Sequence, residues 1–272
     1  MNKFYNIFLV SDSTGETLDR IFLAIKAQFN QFNNTIHHFS FFRTSAQVKT
    51  LIEKCKKSEN PIIIYTLVDI TIIQEIKKEA SHNKYVCFGI LDTLLPEFEK
   101  VLGKKANHIP SGQHALNKEY YKRISAMQFS IEHDDGQKPE TILESDIIVL
   151  GISRTSKTPT TIYLANKGFK SANIPLISDR SVPEEVLNEK TKTVVGLIAD
   201  ASRLQDIRKT RLNTLSEEKH TSYVDIEKIK EEIEKSKILF KKYNIPVIDV
   251  TRKSVEETAA SIIKIHEIKN TK

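Results

Sequence analysis

Short apolar runs alternate with amphipathic stretches along the first hundred residues. Strands are predicted at residues 4–10, 36–42, 62–66 and 85–90. Apolar side chains recur at helical spacing between them, which predicts helices at residues 17–29, 46–57 and 71–80. Because strands that alternate with helices form parallel sheets through right-handed crossovers, this half of the chain is predicted to be an α/β unit.

The alternation stops between residues 94 and 137, where helices at 97–102 and 118–131 flank Pro110-Ser111-Gly112 and no strand is predicted. It then resumes with strands at residues 146–150, 174–177, 194–198 and 247–250 and helices at 158–167, 183–189, 202–213, 224–243 and 255–268. Ser254 and Glu257 predict a capping box at the start of the last helix. We therefore predict two α/β domains with parallel sheets, residues 1–105 and 106–272.

The composition is that of a globular protein, with 272 residues, 39% hydrophobic and 28% charged. No apolar run approaches the roughly 18 residues that span a bilayer, and no secretory signal is visible, so we expect a cytoplasmic protein without a membrane partner. The net charge of +6 comes from lysines spread among glutamates, a pattern of solvated helices rather than of a nucleic-acid surface.

A phosphate-binding loop is predicted where an apolar strand runs into a helix. It follows the pattern G-x-x-x-x-G-K-[ST] except that Ser156 replaces the second glycine. Backbone N–H groups and a helix N-terminus in such a loop point at phosphate oxygens, Lys157 would reach the outer phosphate, and the Thr158 hydroxyl would meet Mg²⁺. The predicted nucleotide-binding residues are Gly151, Ile152, Ser153, Arg154, Thr155, Ser156, Lys157 and Thr158.

Three further groups of residues could carry chemistry. Asp134 and Asp135 precede the loop's strand and could accept a hydroxyl proton, although Asp-Gly sequences are also ordinary turns. Six of the nine arginines lie at or after Arg154, and those on one predicted helix, Arg203, Arg208 and Arg211, could fold over bound phosphates or simply be solvated. Residues 11–17 form a second strand–loop–helix junction, where Ser13 and Glu16 predict a capping box.

These motifs together resemble one family, the bacterial and plant pyruvate, phosphate dikinase regulatory proteins, which includes the phosphoenolpyruvate synthetase regulatory proteins. The resemblance runs in order from about residue 4 to residue 268. It rests on residues 10–17, His133-Asp134-Asp135-Gly136, residues 151–159 with Ile162-Tyr163-Leu164-Ala165, and the closing residues 248–257. Serine at the second glycine of the loop is a variant that this family permits.

The resemblance implies a bifunctional enzyme. One activity is an ADP-dependent serine/threonine kinase that phosphorylates a threonine near the catalytic histidine of the dikinase and releases AMP. The other uses inorganic phosphate to remove that phosphoryl group, which gives pyrophosphate. Lys157, Asp135 and Asp134 are the predicted catalytic residues, with Thr158 on the metal if Mg²⁺ is used. A homodimer is expected.

Three alternatives remain open from the sequence. The target could be phosphoenolpyruvate synthetase instead of the dikinase, since no motif decides between them. The loop could equally belong to a kinase of small metabolites, which needs no docking surface for a protein. A nucleotide-sensing module without catalysis, or a nucleic-acid binder, is the third possibility.

Overall fold

The computed structural model describes residues 3–112, 117–177, 182–215 and 223–271. The chain divides into two compact units, Met1–Ala115 and Leu116–Lys272. Within the described residues, no helix is both long enough and apolar enough to cross a membrane.

The first unit contains a four-stranded sheet with helices on its connections. Its elements are β1 (Tyr5–Ser11), α1 (Glu16–Lys26), β2 (Asn34–Phe39), α2 (Ser45–Lys56), β3 (Pro61–Thr66), α3 (Ile70–His82), β4 (Val86–Gly89) and α4 (Leu91–Leu102). All strand pairs are parallel, in the order β2-β1-β3-β4. One face of β1 and β3 packs with α2 and α3, and the other packs against Leu18 and Phe22 of α1.

The second unit repeats this arrangement with different connections. Its elements are α5 (Lys118–Glu132), β5 (Ile147–Gly151), α6 (Lys157–Asn166), β6 (Ser171–Pro175), α7 (Glu184–Leu187), β7 (Thr193–Ile198), α8 (Ala201–Leu215), α9 (Ile226–Lys242), β8 (Val247–Asp249) and α10 (Val255–Asn270). The strands are parallel in the order β6-β5-β7-β8. β5 is buried along its whole length, as its unbroken apolar sequence predicts for a central strand.

The predicted fold class is confirmed, because both sheets are parallel and each is wound through helices. The two sheets also share one strand order, with the first strand of each unit second from the edge. In each sheet the second strand lies on one side of the first strand, and the third strand lies on its other side. The carboxyl ends of β1 and β5 are therefore switch points, where α/β sheets bind their ligands. The loop after β5 is the predicted phosphate-binding loop.

One predicted capping box forms and the other does not. The Ser254 side chain accepts from the Glu257 N–H, and the Glu257 carboxylate accepts from the Ser254 N–H, as predicted. The box predicted at Ser13 and Glu16 is wrong. Helix α1 begins instead after Gly15, whose φ of 94° turns the chain so that no side chain caps the helix, and Ser13 lies buried beneath the turn.

Candidate active site

The loop between β5 and α6 uses two left-handed residues that are not glycine. Arg154 has φ 73° and Ser156 has φ 59°, an unfavourable conformation for residues that carry a Cβ. Ser156 is the N-cap of α6, and no side chain caps this end of the helix. The first N–H groups of α6 therefore have no capping side chain, and an anion can accept from them.

Gly151 and Thr155 fix the base of the loop. A Cβ on Gly151 would lie 2.6 Å from the Thr155 hydroxyl oxygen and 3.0 Å from the Leu197 carbonyl oxygen, so only glycine fits here. Thr155 is fully buried, and its hydroxyl donates to the Ile152 carbonyl at 2.9 Å. This bond closes the loop on itself before any ligand is present.

Lys157 is buried inside the loop with only 6% of its surface exposed. Its Nζ donates to the Ile152 carbonyl at 3.1 Å. Burial lowers the pKa of Lys157 to about 8, although the carboxylates of Asp135 and Asp134 favour its charged form. The ammonium group is thus poorly solvated, which strengthens its attraction for a phosphate.

Asp134 and Asp135 lie next to the loop, held by a buried asparagine. The Asp134 carboxylate accepts from the Thr158 hydroxyl at 2.9 Å and from the Asn173 side-chain amide. Asn173 also accepts from the Asp135 N–H at 3.2 Å, which supports the left-handed backbone of Asp135 at φ 51°. His133, just before them, is structural, because its ring bonds to the Phe129 carbonyl and the Thr141 hydroxyl.

Arg208 of α8 braces the loop from the other side. It is 1% exposed, pairs with the Glu232 carboxylate at 2.6 Å and donates to the carbonyls of Tyr223 and Ser153. Its Nε is buried with no hydrogen-bond partner among the described residues. The Tyr223 hydroxyl lies 3.1 Å from the Ser153 hydroxyl and accepts from the Arg154 Nε at 3.2 Å.

A cleft of about 750 Å³ opens over this loop. Its lining includes Asp135, Ser153, Arg154, Ser156, Lys157, Thr158, Ile207, Arg208, Tyr223 and Glu232. The structure thus brings together most of the predicted nucleotide-binding residues, both aspartates and Arg208. Arg203 lines a neighbouring cleft instead, and Arg211 is exposed.

Three residues of this region escaped the sequence prediction. Asn173, Tyr223 and Glu232 contact site residues that are 38, 70 and 24 positions away, at Asp135, Ser153 and Arg208. No local pattern marks them. Asn173 is a fully buried polar residue of β6, but the strand predicted at 174–177 does not include it. An unpaired amide there would be costly, so it requires partners.

Comparison with known proteins agrees with this geometry. Residues 7–263 match the family described as kinase/pyrophosphorylase. A protein of Pelagibacter ubique is 53% identical over 98% of both chains, and one of Chelativorans sp. is 40% identical over 97% of this chain and 96% of its own. Both carry the provisional name pyruvate, phosphate dikinase regulatory protein. The chain belongs to the kinase/pyrophosphorylase family and is a phosphotransferase that acts on nucleotide and phosphate substrates.

Proposed function

We propose that this enzyme phosphorylates a threonine of pyruvate, phosphate dikinase with ADP and removes the phosphoryl group with inorganic phosphate. The observation that carries the proposal is the cleft over the loop, because buried Lys157 and Asp135 both line it. Phosphoryl transfer needs positioning and charge neutralisation more than covalent chemistry, and this cleft offers both.

Lys157, Arg154 and the N–H groups at the start of α6 would hold the phosphates. In the kinase direction, the threonine oxygen attacks the β-phosphorus of ADP, the bond from that phosphorus to the bridging oxygen breaks, and AMP leaves. In the other direction, an oxygen of inorganic phosphate attacks the phosphorus of phosphothreonine, and pyrophosphate and free threonine result. One loop can serve both reactions because each places a tetrahedral, negatively charged phosphate against Lys157.

Asp135 is the better candidate for the group that takes the threonine proton and later returns it. Its side chain lines the cleft, whereas one oxygen of the Asp134 carboxylate already accepts from Thr158 and Asn173. A base must lie within hydrogen-bond reach of the hydroxyl that it deprotonates. The two aspartates, which the sequence alone did not separate, therefore receive different roles.

Mg²⁺ would bind at Thr158 and Asp134. Their oxygens lie 2.9 Å apart, and Mg²⁺ prefers one or two protein oxygens together with phosphate oxygens and waters. No group of three or more His, Cys, Asp or Glu side chains suited to a metal exists within the described residues. The donors present fit a cation that the substrate helps to hold, and such a cation would neutralise charge on the phosphates.

The choice of target and the setting of the enzyme rest on its relatives. The curated relatives in Pelagibacter ubique, Chelativorans sp. and Paramagnetospirillum magneticum are all named for the dikinase, which favours it over the synthetase. We propose that the enzyme is a cytoplasmic homodimer and that its partner is the dikinase rather than nucleic acid or a membrane.

Incubation with purified dikinase and ADP labelled in its β-phosphate tests the proposal. The label is expected on a dikinase threonine, with AMP released, and added phosphate should then move it into pyrophosphate. Lys157→Ala should lose both transfers, and Lys190→Ala, at an exposed lysine away from the cleft, is the matched control. Label on a small molecule, or on the synthetase alone, would refute the assignment.

A further inference from the structure

A second polar cleft lies at the same edge of the second sheet as the phosphate loop. It has a volume of about 670 Å³, is open to solvent, and is lined by Asp200, Ser202, Arg203, Asp249, Thr251, Arg252 and Lys253. Asp200 follows β7, and Asp249 is the last residue of β8. These strands are the next two beyond β5, so their carboxyl ends stand about 5 and 10 Å to the side of the loop's own strand.

Helix α8 connects the two clefts. Arg203 lines the second cleft and Ile207 lines the cleft over the loop. Residues four apart on a helix share one face with Cβ atoms about 6 Å from each other. The second cleft therefore begins about one helical turn from the walls around the phosphates, within the reach of the sugar and base of a bound nucleotide.

The two aspartates of this cleft each keep one carboxylate oxygen available. Oδ1 of Asp200 accepts from Ser202 and from the Arg203 N–H, and Oδ1 of Asp249 accepts from the Thr251 N–H and hydroxyl. Within the described residues, no side chain donates a hydrogen bond to Oδ2 of either carboxylate. These bonds lower the pKa of both carboxyl groups, so both are ionised at neutral pH.

We infer that this second cleft binds the nucleoside part of ADP while the loop binds its diphosphate. An ionised carboxylate at the end of a strand is the group that dinucleotide-binding folds use to accept from ribose hydroxyls. The guanidinium planes of Arg203 and Arg252 can stack on a purine ring, as arginine does with nucleic-acid bases.

The inference rests on the proposed function but deepens it in one respect. ADP would use both clefts, whereas phosphate and pyrophosphate would use only the loop. Arg203, predicted from the sequence to contact phosphate, would contact the nucleoside. The transfer from ADP would then depend on both clefts, and the transfer to inorganic phosphate would depend on the loop alone.

The test compares ADP with inorganic pyrophosphate, which is its diphosphate without the nucleoside. The double variant Asp200→Asn/Asp249→Asn keeps the Oδ1 acceptors that cap α8 and form the turn after β8, but removes both negative charges. Titration calorimetry should show the dissociation constant for ADP rising about tenfold, with that for pyrophosphate unchanged. Arg252→Ala should act in the same direction.

Lys190→Ala, at an exposed lysine that lines neither of the two clefts, is the control and should bind both ligands as the wild type does. Unchanged ADP affinity in the double variant and in Arg252→Ala overturns the inference, as does an equal loss for ADP and pyrophosphate. Weaker binding of the dikinase with ADP affinity intact would also overturn it and assign the cleft to the protein target. Lys157→Ala separates the two ideas, because pyrophosphate binding that survives it refutes the loop site itself.

Discussion

The loops after β1 and β5 occupy the same place in two sheets of one strand order, yet they carry opposite charges. In the first, the buried Asp12 carboxylate accepts from the Val68 N–H, and burial raises its pKa. In the second, the buried group is the ammonium of Lys157. Both sheets thus provide a place for a ligand at the switch point, and the charge of the buried side chain there decides which ligand it prefers.

The two loops also use their carbonyl oxygens differently. In the loop after β1, the carbonyls of Ser11 and Ser13 accept from Phe42 and Phe41, and that of Asp12 accepts from Arg43. The bracing there comes from a neighbouring segment. In the loop after β5, the Ile152 carbonyl accepts from Thr155 and Lys157 of the loop itself, and the Ser153 carbonyl accepts from Arg208 of α8. The residues of the first two bonds are neighbours in the sequence, which is why the motif can be recognised there.

Removing the charge of the second loop should have the largest effect. Lys157→Ala is expected to lower both transfer rates by about 10² to 10³, since one preorganised charge contact typically contributes that much. Initial rates of both reactions measure it, and circular dichroism checks that the variant is folded. A folded variant with either rate near the wild-type value would contradict the role of Lys157 in both transfers.

The roles of the paired aspartates give the next largest effect. Asp135→Asn is expected to slow kinase turnover by about 10² while ADP affinity changes little, because a general base acts on the chemical step. Turnover and calorimetric ADP binding should be measured on the same preparation. Asp134→Asn is the matched comparison. If neither variant changes kinase turnover, the turn is structural and the base lies elsewhere.

The lowered pKa of Lys157 predicts an effect of pH. Phosphate binds the charged form, so affinity for pyrophosphate should fall above about pH 8, by at most about tenfold per pH unit. The free energy of unfolding should change in the opposite direction from the affinity for pyrophosphate. Between about pH 8 and 10.5 the unfolded chain binds more protons, so the free energy of unfolding should rise relative to Lys157→Met. Flat binding and unfolding curves from pH 7 to 10 would contradict both.

Competition between ligands gives the smallest expected effect, but it tests directly whether the loop after β1 also binds phosphate. If the loop after β5 is the one phosphate site, ADP and inorganic phosphate compete for it. ADP at its inhibition constant should then raise the apparent KM for phosphate about twofold without changing the maximal rate. Initial dephosphorylation rates at several ADP concentrations decide this. A lowered maximal rate would indicate a second site, and the loop after β1 would be the place to look.

Much of the fold could be predicted because its signals are local. Continuous apolar runs fixed β3 and β5, and helical spacing with a capping box placed the start of α10 at Val255. Helix α1 shows the limit. Ser13 and Glu16 have the right spacing for a cap, but the left-handed turn at Gly15 sets where the helix starts and leaves the Ser13 hydroxyl buried without a partner in the described chain.

The site could be predicted only along the loop. Glycine, lysine and threonine at fixed spacing between a strand and a helix define it locally. The partners that hold it in place come from distant parts of the chain, such as Glu232 against Arg208 and Asn173 against Asp134. Their identities follow from tertiary packing, so residue order alone does not reveal them.

Serine at position 156 has a consequence for the denatured chain. In the folded loop its left-handed backbone costs about 1 kcal/mol relative to a right-handed one. A glycine there would avoid this cost, although it would give the unfolded ensemble more conformations to lose. At a positive φ the strain outweighs that difference in the unfolded chain. The serine therefore leaves the folded loop with a small conformational cost, which the contacts around the loop must offset.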